Sequence, residues 1–299
     1  MAGGPVVVAP LGLALAERVL RDAAPQRVPM AGALRAMRTV RQAQPVAATL
    51  AVMALVLGTG ADAALFALPW LGLCLAASRC GLAVAWRAWR DAGDVLRALL
   101  ALGLARATAI AGLAFLSVGG AWLVISRFGW QPFGFGDDIV RLTAVHFHYA
   151  GFGLPVMAAV ARDRTPGCRA VLAACWATFV GPPIVAIGFV TEVGLFQVGG
   201  ALVMTVAAWG VAVAGLVAAT AAGRDGRPVP AVLLLASGLA PWVAMVLGVQ
   251  WALGQYLDVG ALSIDAMAAT HGLLNGIGFV GAGLAGWFLL SRGRRRVPA

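Results

Sequence analysis

Long apolar segments separated by short polar stretches run along most of this chain. A segment of this kind can cross the hydrocarbon core of a bilayer, which is about 30 Å thick. The pattern predicts an all-α integral membrane protein with about eight transmembrane helices, at 45–61, 62–78, 104–125, 139–161, 169–190, 196–221, 229–253 and 265–290. The first two are short, and Gly58-Thr59-Gly60 between them predicts a tight hairpin.

Composition excludes a soluble domain. Of the 299 residues, 61% are hydrophobic and only 11% are charged, and the mean hydropathy is +0.90. The net charge of +10 comes from 22 basic residues, all of them arginine. They lie in short segments between the apolar runs and not in one basic patch. We therefore expect a lipid bilayer, and no nucleic acid, as the partner.

The loop charges alternate along the chain, which predicts the topology. Twenty arginines fall on one side, at 18, 21, 27, 35, 38, 41, 79, 87, 90, 97, 106, 162, 164, 169, 224, 227, 292, 294, 295 and 296. The other side is acidic, and Arg127 and Arg141 are its only cations. Because basic loops stay in the cytoplasm, both termini are predicted to be cytoplasmic.

An internal repeat predicts two parallel four-helix halves. Shifting the fourth predicted span by 125 residues places it on the eighth, and both segments read Ala-x-His-x4-Gly-x-Gly. The halves would cover 45–161 and 162–290, followed by a basic cytoplasmic tail at 291–299. Residues 1–44 are predicted to form a basic cytoplasmic arm that lies on anionic lipid; a clipped first span is the alternative.

Candidate ligands follow from the histidines, because all three lie in apolar segments, where an imidazole is costly. Neutral imidazole binds haem iron, copper and zinc. His146 and His148 point about 200° apart on a helix, and the repeat pairs His146 with His271. The leading hypothesis is that His146 and His271 share a metal ion or haem iron in the outer leaflet, for electron transfer or sensing. His148 and Arg141 complete the predicted cofactor-binding set, and Arg141 would meet haem propionates.

Two other hypotheses use the same residues differently. In a small-molecule transporter, the histidines would line the translocation path together with Thr143, Tyr149 and Asn275, and the two outer arginines would meet an anionic substrate. In a structural or assembly protein without a cofactor, His271 would simply hydrogen-bond to Asn275 or Thr143, and the arginines would pair with the aspartates at 137 and 138. No catalytic residues are predicted, since the sequence has no Ser/His/Asp set, phosphate-binding loop or pair of buried carboxylates.

The segment Ala144-Val-His-Phe-His-Tyr149 resembles the haem-ligand helix of heme-copper oxidase subunit I. In that family the two histidines of such a motif bind two different haems on opposite helix faces. The resemblance covers about six residues. Three histidines cannot supply two haems and a copper centre, and eight spans are too few, so a respiratory oxidase is excluded.

A second resemblance covers most of the chain. The segment Ala9-Pro-Leu-Gly-Leu13, the His-Phe-His-Tyr-Ala-Gly-Phe run from His146, and Thr270-His-Gly-Leu-Leu-Asn-Gly-Ile-Gly-Phe279 are similar to the YndJ-like bacterial membrane proteins. This resemblance implies a multi-pass protein of the bacterial cell membrane. It implies no mechanism.

Overall fold

The computed structural model describes residues 1–22 and 30–292, and the helices group into two compact units, Met1–Asp163 and Arg164–Ala299. The first unit begins with a π-helical turn at Gly4–Val8. Its α-helices follow in order: α1 (Ala9–Asp22), α2 (Ala31–Val56), α3 (Ala61–Ala92), α4 (Val95–Leu102), α5 (Leu104–Phe128), α6 (Asp137–His148) and α7 (Leu154–Arg164). A second π-helical turn, Tyr149–Gly153, joins α6 to α7.

The second unit contains α8 (Arg169–Thr191), α9 (Gly194–Arg224), α10 (Pro228–Gly254), α11 (Ile264–Met267) and α12 (Ala282–Arg292). The segments Ala268–Gly272 and Leu274–Gly281, between α11 and α12, are π-helical. Each long helix packs against the next one along the chain, α8 on α9 and α9 on α10. Small residues permit the close approach, since a Cβ at Gly210 would clash with the backbone carbonyl of Ala170.

Seven helices in the described ranges are long and apolar enough to cross a membrane: Ala61–Ala92, Leu104–Phe128, Asp137–Arg164, Arg169–Thr191, Gly194–Arg224, Pro228–Gly254 and Ile264–Arg292. The prediction of a multi-pass all-α membrane protein is therefore confirmed. The count of eight is not. The difference is the predicted span 45–61, of which residues 45–56 belong to α2.

Helix α2 combines a basic half with a short apolar half. It begins at Ala31 and carries Arg35, Arg38 and Arg41 in its first three turns. Its apolar part, from Pro45 to Val56, is only about 18 Å long. The hairpin prediction is confirmed, because α2 ends at Val56 and α3 begins at Ala61, with positive φ angles of 85° at Gly58 and 137° at Gly60.

The N-terminal segment differs from the expected surface arm. Helix α1 is packed against α2, α5 and the turn Tyr149–Gly153, and Leu13, Leu15 and Leu20 are buried. Arg18 and Arg21, near the end of α1, are only half-buried, whereas the apolar residues around them are buried in the first unit. Residues 23–29 and the predicted basic tail from 293 onward lie outside the described residues.

The segment between the second and third predicted spans, 79–103, is largely helical. Helix α3 continues to Ala92, and α4 follows after a glycine with left-handed backbone conformation and the N-cap Asp94, whose carboxylate accepts from the amide of Arg97. The apolar run of α3 stops at Arg79, but arginine and alanine are good helix formers, so the helix does not. The hydropathy pattern therefore did not predict where this helix ends.

Candidate functional site

His148 is buried in the first unit with both ring nitrogens hydrogen-bonded. The indole Nε1–H of Trp70, on α3, donates to Nε2 at 2.9 Å. The neutral ring therefore carries its proton on Nδ1, which donates to the carbonyl of Ala144 at 2.7 Å. Gly119 of α5 leaves room for the ring, because a Cβ there would lie 2.9 Å from Nδ1. In this arrangement His148 has no ring lone pair left to bind a metal.

His146 lies on the opposite face of α6, as helix geometry predicts. Its side chain is exposed, and Nδ1 lies 2.8 Å from the carbonyl of Leu142. With Nδ1 donating to that carbonyl, Nε2 is the nitrogen that remains as an acceptor. The other two predicted path residues of this segment are half-buried. The Thr143 hydroxyl donates to the carbonyl of Ile139 at 2.7 Å, and Tyr149 begins the π-helical turn.

His271 is half-buried in the second unit and contacts α10. Its Nδ1 lies 2.7 Å from the carbonyl of Ala244, and a Cβ on Gly248 would lie 2.9 Å from its Cε1. The predicted contact with Asn275 is present, with the amide nitrogen 3.3 Å from His271 Nε2. The same amide nitrogen lies 3.6 Å from the sulfur of Met245. Asn275 Oδ1 is buried and has no hydrogen-bond partner among the described residues.

The two histidine segments share a local distortion. Both contain π-helical turns, and a shift of 125 residues places Tyr149–Gly153 on 274–278, inside Leu274–Gly281. Such turns often occur at functional sites. By its surroundings, however, His271 resembles His148 and not His146, since each of these two histidines packs against a glycine of the preceding long helix.

The metal or haem hypothesis stays a prediction. His146 belongs to the first unit and His271 to the second. Among residues 1–22 and 30–292, no group of three His, Cys, Asp or Glu side chains is placed to hold a metal ion. A Soret band in the absorption spectrum of purified protein, lost in His271→Ala, would establish haem binding.

A polar pocket of about 70 Å³ lies where α5, α6 and the hairpin after α2 meet. Its side chains are mostly hydrogen-bond donors, and two of them are guanidinium groups. It is lined by Thr59, Ser126, Arg127, Trp130, Asp137, Val140 and Arg141. We call it the Arg127 pocket. A volume of this size holds a few water molecules or one small anion.

Arg127 is a buried cation whose hydrogen-bond partners are all neutral. The residue is only 7% exposed. One terminal nitrogen donates to the carbonyl of Gly58 at 2.6 Å and the other to the Ser126 hydroxyl at 3.0 Å. Within the described part of the chain, its Nε has no hydrogen-bond partner and no carboxylate lies within salt-bridge distance. The predicted pairing with an aspartate is therefore absent for Arg127.

Arg141 does make the predicted ion pair, with Asp138 three residues before it. Both side chains are half exposed, and such pairs contribute little to stability. Asp137, the one carboxylate that lines the pocket, accepts a hydrogen bond from the Gln131 amide at 2.8 Å. The lining thus has two guanidinium groups and one carboxylate, so an anion is the favoured ligand.

A sequence model described as YndJ-like protein matches residues 1–279. The chain belongs to the YndJ-like family. The family assignment thus rests on a match that covers the histidine segments of both units and the Arg127 pocket, and it confirms the resemblance read from the sequence.

This YndJ-like chain is also 26% identical over 255 residues to a Bacillus subtilis (strain 168) protein named "Uncharacterized membrane protein YndJ". The match covers 82% of this chain and 41% of that protein, so the chain spans about two fifths of its relative's length. No solved structure matches. Together with its seven apolar helices, these matches identify the chain as a multi-pass membrane protein.

Several residues around His148 and in the Arg127 pocket could not be predicted from the sequence. Trp70 donates to a histidine 78 positions away, and Thr59 reaches the pocket only because the hairpin folds against α5. The backbone amide of Gly60 donates to the carbonyl of Arg127 at 2.8 Å, which fixes that contact. No local pattern marks these residues. Arg127 and Arg141 did carry a signal, because they are the two arginines on the acidic side of the predicted topology.

Proposed function

We propose that the protein is a membrane carrier for a small anionic solute and that the Arg127 pocket is the outward-facing site where the solute binds. The observation that carries the proposal is the buried guanidinium of Arg127, which has no carboxylate partner among the described residues. Burying a charge that forms no ion pair is costly, and Asp137 is the one carboxylate of the pocket lining. A bound anion would remove much of that cost.

The other groups of the pocket fit the same ligand class. Hydroxyl groups of Thr59 and Ser126 and the indole N–H of Trp130 can donate to a carboxylate, phosphate or sulfate oxygen. Arg141 adds a second guanidinium, and the planar fork of arginine matches the geometry of such oxyanions. Val140 supplies an apolar wall. This arrangement favours the transporter hypothesis over a purely structural protein.

Binding is tested by thermal unfolding of the detergent-purified full chain in acetate, phosphate and sulfate against chloride, at constant ionic strength. A ligand that binds the folded state raises the unfolding midpoint with its concentration. We expect at least one oxyanion to stabilise the protein and Arg127→Gln to abolish that effect. Arg127→Lys, which keeps the charge, should retain part of it, and Arg169→Gln, at an exposed position in the second unit, should retain all of it.

Transport is tested separately in proteoliposomes with the oxyanion that stabilises the protein. The proposal predicts uptake that Arg127→Gln abolishes. Stabilisation without uptake would contradict the proposed transport but would be consistent with the proposed anion-binding site. Stabilisation that persists in Arg127→Gln would overturn the site itself.

The outward orientation of the pocket rests on the arginine distribution of the loops. Alkaline phosphatase fused after Asp138 or Asp258 should be active, and fusions after Arg164 or Arg224 should be inactive. The reverse pattern would place the termini outside and the Arg127 pocket in the cytoplasm, so the solute would bind from within.

A further inference from the structure

Exposed apolar and basic residues alternate at the end of α3 and along α4. Trp86 and Trp89 are 57% and 41% exposed, and their rings pack together with centroids 4.8 Å apart. On α4, Val95, Leu96 and Leu100 are each at least 65% exposed. No described side chain of the first unit covers this face, which is too apolar to favour contact with water.

Four exposed arginines are interspersed with these apolar residues, against two aspartates: Arg79, Arg87, Arg90 and Arg97, with Asp91 and Asp94. Only Arg97 forms an ion pair among them in the described structure, with Asp94 at 3.2 Å. Arg87 directly follows Trp86, and Arg90 directly follows Trp89. The basic and the aromatic residues of this surface therefore lie next to one another.

The length of α3 indicates where this surface lies across the bilayer. Its 32 residues span about 48 Å, whereas a bilayer is about 40–45 Å thick with its headgroups. Ala61 begins α3 at the hairpin, and Trp86 lies about 38 Å further along the helix. When the hairpin lies at one membrane surface, Trp86 to Arg90 reach the headgroup layer of the other, where tryptophan and arginine are both favoured.

We propose that this surface, formed by Trp86, Arg87, Trp89, Arg90 and α4 and here called the Trp–Arg surface, binds anionic glycerophospholipids of the cytoplasmic leaflet. The guanidinium groups of Arg87 and Arg90 contact the lipid phosphates. The indoles lie at the headgroup level, and the exposed face of α4 rests on the acyl chains beneath. Charge complementarity selects anionic over zwitterionic lipid. The proposal is independent of the Arg127 pocket.

Native mass spectrometry of the detergent-purified full chain, titrated with phosphatidylglycerol and with phosphatidylcholine, tests the proposal. The wild-type protein should bind phosphatidylglycerol more tightly. Each arginine at a membrane surface contributes about fivefold, so Arg87→Gln/Arg90→Gln should raise the Kd for phosphatidylglycerol by up to about 30-fold. Arg87→Lys/Arg90→Lys should restore most of the affinity, which also shows that the variants fold.

The matched control is Arg169→Gln/Arg224→Gln, which removes two exposed arginines that are not next to a tryptophan in the sequence. Its Kd should change less than twofold. Equal losses in the two double variants would overturn the proposal, because any basic residue would then serve. Equal affinity of the wild-type protein for the two lipids would overturn it as well, and would indicate a different partner for the exposed face.

Discussion

Glu17 and Arg127 are both buried charged residues of the first unit, yet their surroundings differ. Glu17 is 4% exposed and lies among three arginines: its carboxylate is 2.5 Å from Arg41, 3.7 Å from Arg38 and 4.0 Å from Arg21. Arg127 is 7% exposed and hydrogen-bonds only to a carbonyl and a hydroxyl. Among the described residues, Glu17 has three arginines within ion-pair distance, whereas Arg127 has no carboxylate within that distance.

The difference separates a structural charge from one that is suited to binding. Burying a charge is costly unless it is paired. Glu17 holds α1 against α2, and its arginine partners keep part of their hydration because they are exposed. Arg127 fixes the hairpin after α2 through Gly58, but its buried Nε has no hydrogen-bond partner among the described residues. The cost of its burial is one that a ligand can relieve.

The largest effect is expected from Glu17→Gln. The substitution removes the charge that joins α1 to Arg38 and Arg41, and hydrogen bonds to charged groups contribute about 1.5–3 kcal/mol. Since the arginines can rehydrate, we expect a loss of about 2 kcal/mol of unfolding free energy, measured by denaturation in mixed micelles. Arg169→Gln should change it by less than 0.5 kcal/mol. A neutral Glu17→Gln would mean that the ion-pair cluster does not stabilise the first unit.

A smaller effect on stability is expected from Arg127→Met. The variant loses the hydrogen bonds to Gly58 and Ser126, but it also removes an uncompensated buried charge, and the two changes oppose each other. In chloride alone we expect a change within about 1 kcal/mol. A loss as large as that of Glu17→Gln would show that Arg127 is compensated by its neutral partners and has no need of an anion.

The smallest effect is expected from Asp138→Asn. This substitution frees Arg141 from its exposed ion pair, and such pairs contribute about 0–1 kcal/mol. Stability should hardly change, whereas the Kd of the stabilising oxyanion should fall by about twofold to fivefold as Arg141 becomes available to the pocket. Isothermal titration calorimetry measures this Kd. An unchanged Kd would place Arg141 at the edge of the site and leave Arg127 as its one cation.

Much of the fold could be predicted from the sequence, because hydropathy reports on the apolar layer directly. The helices from α5 to α10 lie close to their predicted spans. Two segments could not be predicted. Helix α1 is largely buried although it contains two arginines, and α3 extends 14 residues beyond the predicted end of its span at 78. Both outcomes depend on tertiary packing and helix propensity, which a hydropathy pattern does not encode.

The candidate site was predicted in part. Helix periodicity placed His146 and His148 on opposite faces, and the contact of His271 with Asn275 followed from a spacing of four residues. The partner of His148, Trp70, could not be predicted, because it lies on another helix. The loop charges marked Arg127 and Arg141 as exceptions. They did not predict that Arg141 would pair with an aspartate and that Arg127 would not.

The most direct test of the account is the unfolding midpoint of the wild-type protein and of Arg127→Met, measured side by side in chloride and in increasing phosphate or acetate at constant ionic strength. A site-specific ligand stabilises the folded state in proportion to the logarithm of its concentration above Kd. We expect the unfolding midpoint to rise with anion concentration for the wild-type protein and to stay constant for Arg127→Met. Parallel curves for the two proteins would contradict it, because the anion would then act somewhere other than Arg127.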